Sequence, residues 1–215
     1  MERSSPHASS RDTEAPGSWP EFTPLIAVVK SLLIQLPNTI LYHDVDHTLR
    51  DVFPTSVQLA LSEGCSRRDT VLVGVAALFH DVGYLESYYD NEPIGVRYAR
   101  EELPRHGFLP VEIDTIEALI LATRVPQRPQ THLECVICDA DLAHLGSDYC
   151  FVVGERLRLE RGYMGAPISL RAWYMANVSF LSGHRYHTDT ARTLWQPTKE
   201  RNLREARHLL SGEDP

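Results

Sequence analysis

The apolar run Val71–Phe79 stops abruptly at His80-Asp81. Its residues are apolar on nearly every helical face, which predicts a central helix enclosed by other helices. Val71–Val75 alone would also suit a buried strand, but the segment it belongs to, reaching back toward Asp69, is too long for one. Asp69 reads as its N-cap or a first-turn residue. A histidine and an ionised aspartate at the end of such a helix are costly unless they are paired or bind a metal.

The segments around this run share its period. Glu21–Leu36 carries Leu25, Val28, Val29, Leu32, Leu33 and Leu36 at helical spacing, and Pro37-Asn38 closes it. A second helix is predicted over about 43–62, stopped by Gly64, with a kink or break at Pro54. Further helices are expected over about 93–105, 110–122 and 133–145, then 148–161, 169–182 and 188–210. Val125–His132 reads as a polar loop, and Thr188 or Asp189 as the cap of the last helix. With no alternating strand pattern of useful length, the chain reads as all-α.

At 215 residues and net charge −8, the chain fits one domain over 20–215, with core motifs at 40–150 and additional C-terminal helices at 151–211. Residues 1–19 lack an apolar signal region and read as a disordered tail. The charge argues against binding a nucleic-acid polymer, and no apolar stretch approaches the ~20 residues of a membrane span. The four cysteines are Cys65, Cys135, Cys138 and Cys150. Cys135 and Cys138 form a CxxC, but it has no second copy and lies in an apolar stretch where thiols pack as small hydrophobes. Such cysteines fit a reducing, cytoplasmic setting.

Chemistry-bearing residues gather at three points: Tyr42-His43-Asp44-Val45-Asp46-His47, His80-Asp81, and Asp139-Ala140-Asp141-Leu142. Imidazoles and carboxylates in such a set suit a divalent ion that activates water. His43 and His47 would share a face if one helix carried both. His80 and Asp81 can both reach an ion at a helix end. Asp139 and Asp141, two apart on a helix, point in different directions.

The order His…His-Asp…Asp on a helical chain resembles the HD-domain metal-dependent phosphohydrolase superfamily. Tyr42-His43-x-x-x-His47 resembles its opening helix and Leu78-Phe79-His80-Asp81-Val82-Gly83 its signature. Leu119-Ile120-Leu121-Ala122-Thr123 followed by Asp139-Ala140-Asp141-Leu142 resembles its closing segment. The resemblance implies an HD-type helical bundle. It implies one divalent ion (Mn, Fe, Co, Ni or Zn) held by His47, His80, Asp81 and Asp141. Asp141 is preferred because the family ligand commonly sits in an Ala-Asp pair. Asp139 would orient a ligand or cap the helix. His43 aligns with the acid that protonates the leaving oxygen in the cyclic-nucleotide phosphodiesterase branch. His43-Asp44 is not taken as the signature, since no buried apolar run precedes it.

Departures from the pattern narrow the branch. Tyr84 and Leu85 stand where alarmone hydrolases carry Glu-Asp. Asn91 stands where many relatives have the extra histidine of a di-iron oxygenase, and His106 and His132 look exposed. The expectation is therefore a phosphohydrolase acting on a small phosphate ester, most simply a nucleotide, through metal-activated water. Arg50 and Arg124 are candidate phosphate clamps, and Glu92 a candidate for positioning water or a ligand. Tyr84, Tyr88 and Tyr89 are candidates for the pocket mouth. Trp173 and Tyr174 fit a core face. Competing readings are a di-iron oxygenase on the same fold and a non-catalytic protein that binds a nucleotide or a partner. Substrate identity and oligomeric state stay open.

Overall fold

The computed structural model describes residues 19–211. The tail expected over 1–19 lies outside them except for Trp19. That residue is buried, stacks on Phe22 and lies under the Arg67 guanidinium, so it belongs to the packed domain. Among the described residues the regular structure is helical throughout.

Helix α3, Arg67–Phe79, is the axis of the fold. Ser66 caps it by accepting the Asp69 amide at 3.1 Å, and the Ser66 hydroxyl donates to the Asp69 carboxylate at 2.7 Å. Asp69 is thus the first-turn partner and Ser66 the cap. Every residue from Thr70 to Phe79 is buried. Around it pack α1 (Phe22–Leu33), α2 (Phe53–Ser62), α4 (Asn91–Glu102), α5 (Pro110–Ala122) and α6 (His132–Asp141). Their apolar faces close one core with α3 at its centre.

The helix expected over 43–62 is built differently. It starts at Val45, so His43 lies in the bend before it. Asp44 Oδ1 accepts the amides of Asp46 at 3.0 Å and His47 at 2.9 Å, satisfying two donors of the first turn. Residues His47–Val52 form a π turn, in which the Phe53 amide reaches back five residues to Thr48 O. Pro54 follows in the first turn of α2. The widened turn takes the place of the expected kink, because Pro54 has no N–H to give.

Helices α7 (Cys150–Tyr163), α8 (Leu170–Gly183) and α9 (Asp189–Ser211) complete the chain. Thr188 caps α9, its Oγ1 accepting the Ala191 amide at 3.3 Å. Helix α9 packs on α8 and on the short 3₁₀ turn Ala143–Gly146 that follows α6. The cysteines are free thiols; Cys138 is buried and its thiol donates to Ala122 O at 3.1 Å. No described helix is long and apolar enough to cross a membrane.

Candidate active site

Three chain segments deliver side chains to one buried point. His47 comes from the π turn, His80-Asp81 from the end of α3, and Asp141 from the last residue of α6. His80 Nδ1 donates to Ala77 O at 2.8 Å, which leaves Nε2 facing the site as the nitrogen that could bind an ion on losing its proton. His80 Nε2 lies 3.1 Å from Asp81 Oδ2 and 3.6 Å from Asp141 Oδ1. His47 Nε2 lies 3.5 Å and 3.6 Å from the same two oxygens. Gln127 Nε2 donates to the other oxygen of Asp141 at 3.1 Å and orients that carboxylate.

These atoms fit an ion. His47 Nε2, His80 Nε2 and Asp81 Oδ2 are buried and make no aligned hydrogen bond in the protein. Ligands about 2.0–2.2 Å from a common cation stand about 3–3.5 Å apart, close to the separations found here. His47, His80 and Asp141 form a metal-ligand cluster on spacing alone, and Asp81 Oδ2 sits beside it. Two imidazoles with two carboxylates suit a first-row transition ion. Burial opposes charge at every member. At His80 the adjoining Asp81 and Asp141 outweigh burial and hold the imidazole well above its ordinary range. Burial would raise the Asp81 carboxyl, but His80 brings it below its usual value. Burial is likewise outweighed at Asp141, whose carboxyl the nearby His47 and His80 imidazoles pull down. The cluster thus compensates itself with protons, the role a divalent cation fills when bound.

His43 faces the same space from its bend. Its Nδ1 donates to Glu160 Oε1 at 2.6 Å, while Glu160 Oε2 accepts the amides of Tyr42 at 2.7 Å and His43 at 3.2 Å. Glu160 is fully buried on α7; burial would raise its carboxyl, but the His43 bond holds it below the usual range. His43 Nε2 lies 3.0 Å from the Tyr84 hydroxyl, and the two rings stack at 4.1 Å. His144 is also at hand, its imidazole pushed down to about 4 chiefly by burial and so neutral near pH 7. Glu160 and His144 carried no sequence signal. Glu160 sits in a helix rich in Glu and Arg, and its partner is 117 residues away.

Other expectations need correction. Asp139 is buried, but it orients no ligand and does not cap its own helix. Its carboxylate accepts the His187 amide at 2.8 Å, the Thr188 amide at 2.7 Å and the Thr188 hydroxyl at 2.8 Å. It fastens the start of α9. Arg50, inside the π turn, projects into solvent and pairs with Asp46 at 3.1 Å rather than facing the site. Arg124 does line the cavity and pairs with Asp90. Glu92, Tyr84, Tyr88 and Tyr89 line it too. His106 is half-buried rather than exposed, bonded to Glu102 at 2.8 Å, and exposed His132 approaches Glu63. Gly83 permits the turn after His80-Asp81, since a Cβ there would lie 1.9 Å from Asn91 O.

The sequence profile of the HD domain matches residues 45–145. The structure is similar to the crystal structure of a predicted HD superfamily hydrolase from an uncultured Thermotogales bacterium. Its TM-score is 0.61 with 19% identity, covering 89% of this chain and 92% of that one. No curated protein gives a significant sequence match.

Proposed function

We propose that this chain, whose residues 45–145 match the HD domain, is a metal-dependent phosphohydrolase acting on a small phosphate ester, a nucleotide foremost. The observation that carries this reading is the convergence of three buried, unpartnered atoms, His47 Nε2, His80 Nε2 and Asp81 Oδ2, beside Asp141. These four residues would hold one divalent ion (Mn, Fe, Co, Ni or Zn). Such an ion supplies a Lewis acid for phosphoryl oxygen and an acidified water.

The remaining work falls to side chains. His43 gives a proton to the leaving oxygen from Nε2, the nitrogen that now meets the Tyr84 hydroxyl. Glu160 sets the ring's tautomer and orientation by accepting the Nδ1–H hydrogen bond, which turns Nε2 toward the cavity. Gln127 keeps Asp141 turned toward the centre. Arg124 stands at the cavity wall as the cation for phosphate, exchanging Asp90 for substrate.

The test is metal content per chain on protein purified without chelator, for wild type and for His80→Ala/Asp81→Ala, followed by a phosphatase and phosphodiesterase screen. About one transition ion, lost in the variant, with release of phosphate or opening of a phosphodiester, supports the reading. Two iron ions per chain would replace it with the oxygenase. Absence of binding on adding Mn or Ni would replace it with a non-catalytic role.

A further inference from the structure

The cavity is far larger than the ion site and a phosphoryl group require. It measures about 720 Å³ and runs without interruption from His80, Asp81 and Asp141 to the space between α7 and α8. That volume is in the range of pockets that enclose whole organic ligands. The chemistry of its walls changes along its length. One end is imidazole and carboxylate; the other is mostly apolar, with Phe151, Leu157, Trp173 and Phe180 beside the polar Arg161 and Asn177.

Two observations mark the far end as built for an occupant. Helices α7 and α8 bury few side chains: only Cys150 and Glu160 on the first, Trp173 and Leu181 on the second. Their other cavity-lining apolar groups, Phe151 and Leu157 among them, stay partly uncovered. Gly154 also stands in the middle of α7, where glycine weakens a helix relative to alanine. Steric need does not explain it, since a Cβ there would meet Trp173 only at 3.8–3.9 Å, an ordinary contact. A longer side chain would fill the space in front of the indole.

We propose that this arm seats the leaving group of the ester, and that the leaving group is a large apolar body lying against Trp173, with Gly154 as the residue that keeps its seat open. The proposal rests on the phosphohydrolase reading for the phosphoryl end only. An aromatic ring system, a nucleobase included, and an aliphatic chain share the required chemistry.

The test is calorimetric binding of non-hydrolysable phosphonates to the full chain loaded with Mn²⁺. Methylphosphonate is compared with 1-naphthyl- and decylphosphonate on wild type, Gly154→Ala and Gly154→Phe. Ala176→Phe, on the same arm, serves if Gly154→Phe fails to fold. The bulky probes should bind wild type and Gly154→Ala at least about tenfold tighter than methylphosphonate, with a negative heat-capacity change. The arm-filling variant should abolish that advantage and leave methylphosphonate affinity unchanged. Preference for naphthyl identifies an aromatic leaving group and preference for decyl an aliphatic one. Equal affinity for small and bulky probes, or an advantage that survives Gly154→Phe, overturns the proposal. If no phosphonate binds, 1-naphthol and decanol are titrated instead. Binding that Gly154→Phe abolishes then keeps the apolar seat and refutes the phosphoryl reading, whereas no binding refutes the seat as well.

Discussion

Changing Glu160 to Gln removes one charge and almost no volume, so it isolates what the carboxylate does for His43. In the native protein that buried group accepts from His43 Nδ1 at 2.6 Å and from the amides of Tyr42 and His43 at 2.7 and 3.2 Å. A hydrogen bond to a charged partner contributes about 1.5–3 kcal/mol. If that energy is expressed when His43 becomes the donating imidazolium, its loss lowers the rate about 10- to 100-fold. The effect depends on the leaving group. An alkoxide needs the proton and a nitrophenolate does not, so kcat should fall on alkyl esters and barely change on the nitrophenyl ester. His43→Ala should give the same pattern, larger, up to the ~10²–10⁴ of a general acid. The double variant should be no slower than His43→Ala, because one effect acts through the other. Equal losses on both leaving groups, or additive losses in the double variant, would refute the reasoning. The pH dependence has a definite sign. The Glu160 carboxyl is depressed in the folded state, against burial, by its bond to His43. Its stabilisation is therefore complete above the unfolded value of about 4.3 and is lost as pH falls through the lower folded value. Wild type and Glu160→Gln should differ in urea stability by a constant amount near neutrality and converge in acid.

Asp139→Ala should cost about 3 kcal/mol in urea unfolding, because three donors at the start of α9, the two on Thr188 buried, lose their acceptor at once; a change below about 1 kcal/mol would contradict its fastening role. Arg50→Ala should alter kcat/KM by less than about twofold and stability by less than about 0.5 kcal/mol, since it is exposed and pairs with the exposed Asp46 one turn away.

The helices were legible because their apolar residues repeat at the helical period. Val71–Phe79, and Ile113, Ile116, Leu119 and Ile120 on one face of α5, are buried as that period requires. His80 and Asp81 could be singled out because a buried His-Asp step has few other physical justifications, whereas His47 and Asp141 followed from the resemblance to the HD pattern. The misreadings share a cause: each depended on where a side chain points, and only tertiary packing decides that. Asp44 was read within a His-Asp pair, yet it ends the chain's approach to a helix, which leaves His43 outside. Arg50 was placed by counting α-helical turns through a segment that widens to a π turn. Trp173 is buried, as a core-face residue should be, and one side of it also forms a cavity wall. Glu160 was invisible because a glutamate between Leu159 and Arg161 reads as a solvated face, and the partner that makes it otherwise lies 117 residues away in the sequence.

Helix α6 carries two carboxylates two residues apart with opposite duties. Asp141 turns toward the metal-ligand cluster and Asp139 grips the backbone at His187 and Thr188. The last turn of α6 is therefore a shared anchor. Helix α9 cannot detach at its beginning without releasing a buried carboxylate beside the residue that faces the ion. Local opening of the C-terminal helix and loosening of the centre become one event, a cooperative unit in the sense of native-state hydrogen exchange. If the proposed ion binds Asp141, the amides of His187 and Thr188 should gain protection from hydrogen exchange as well, so the start of α9 would report loading of the centre.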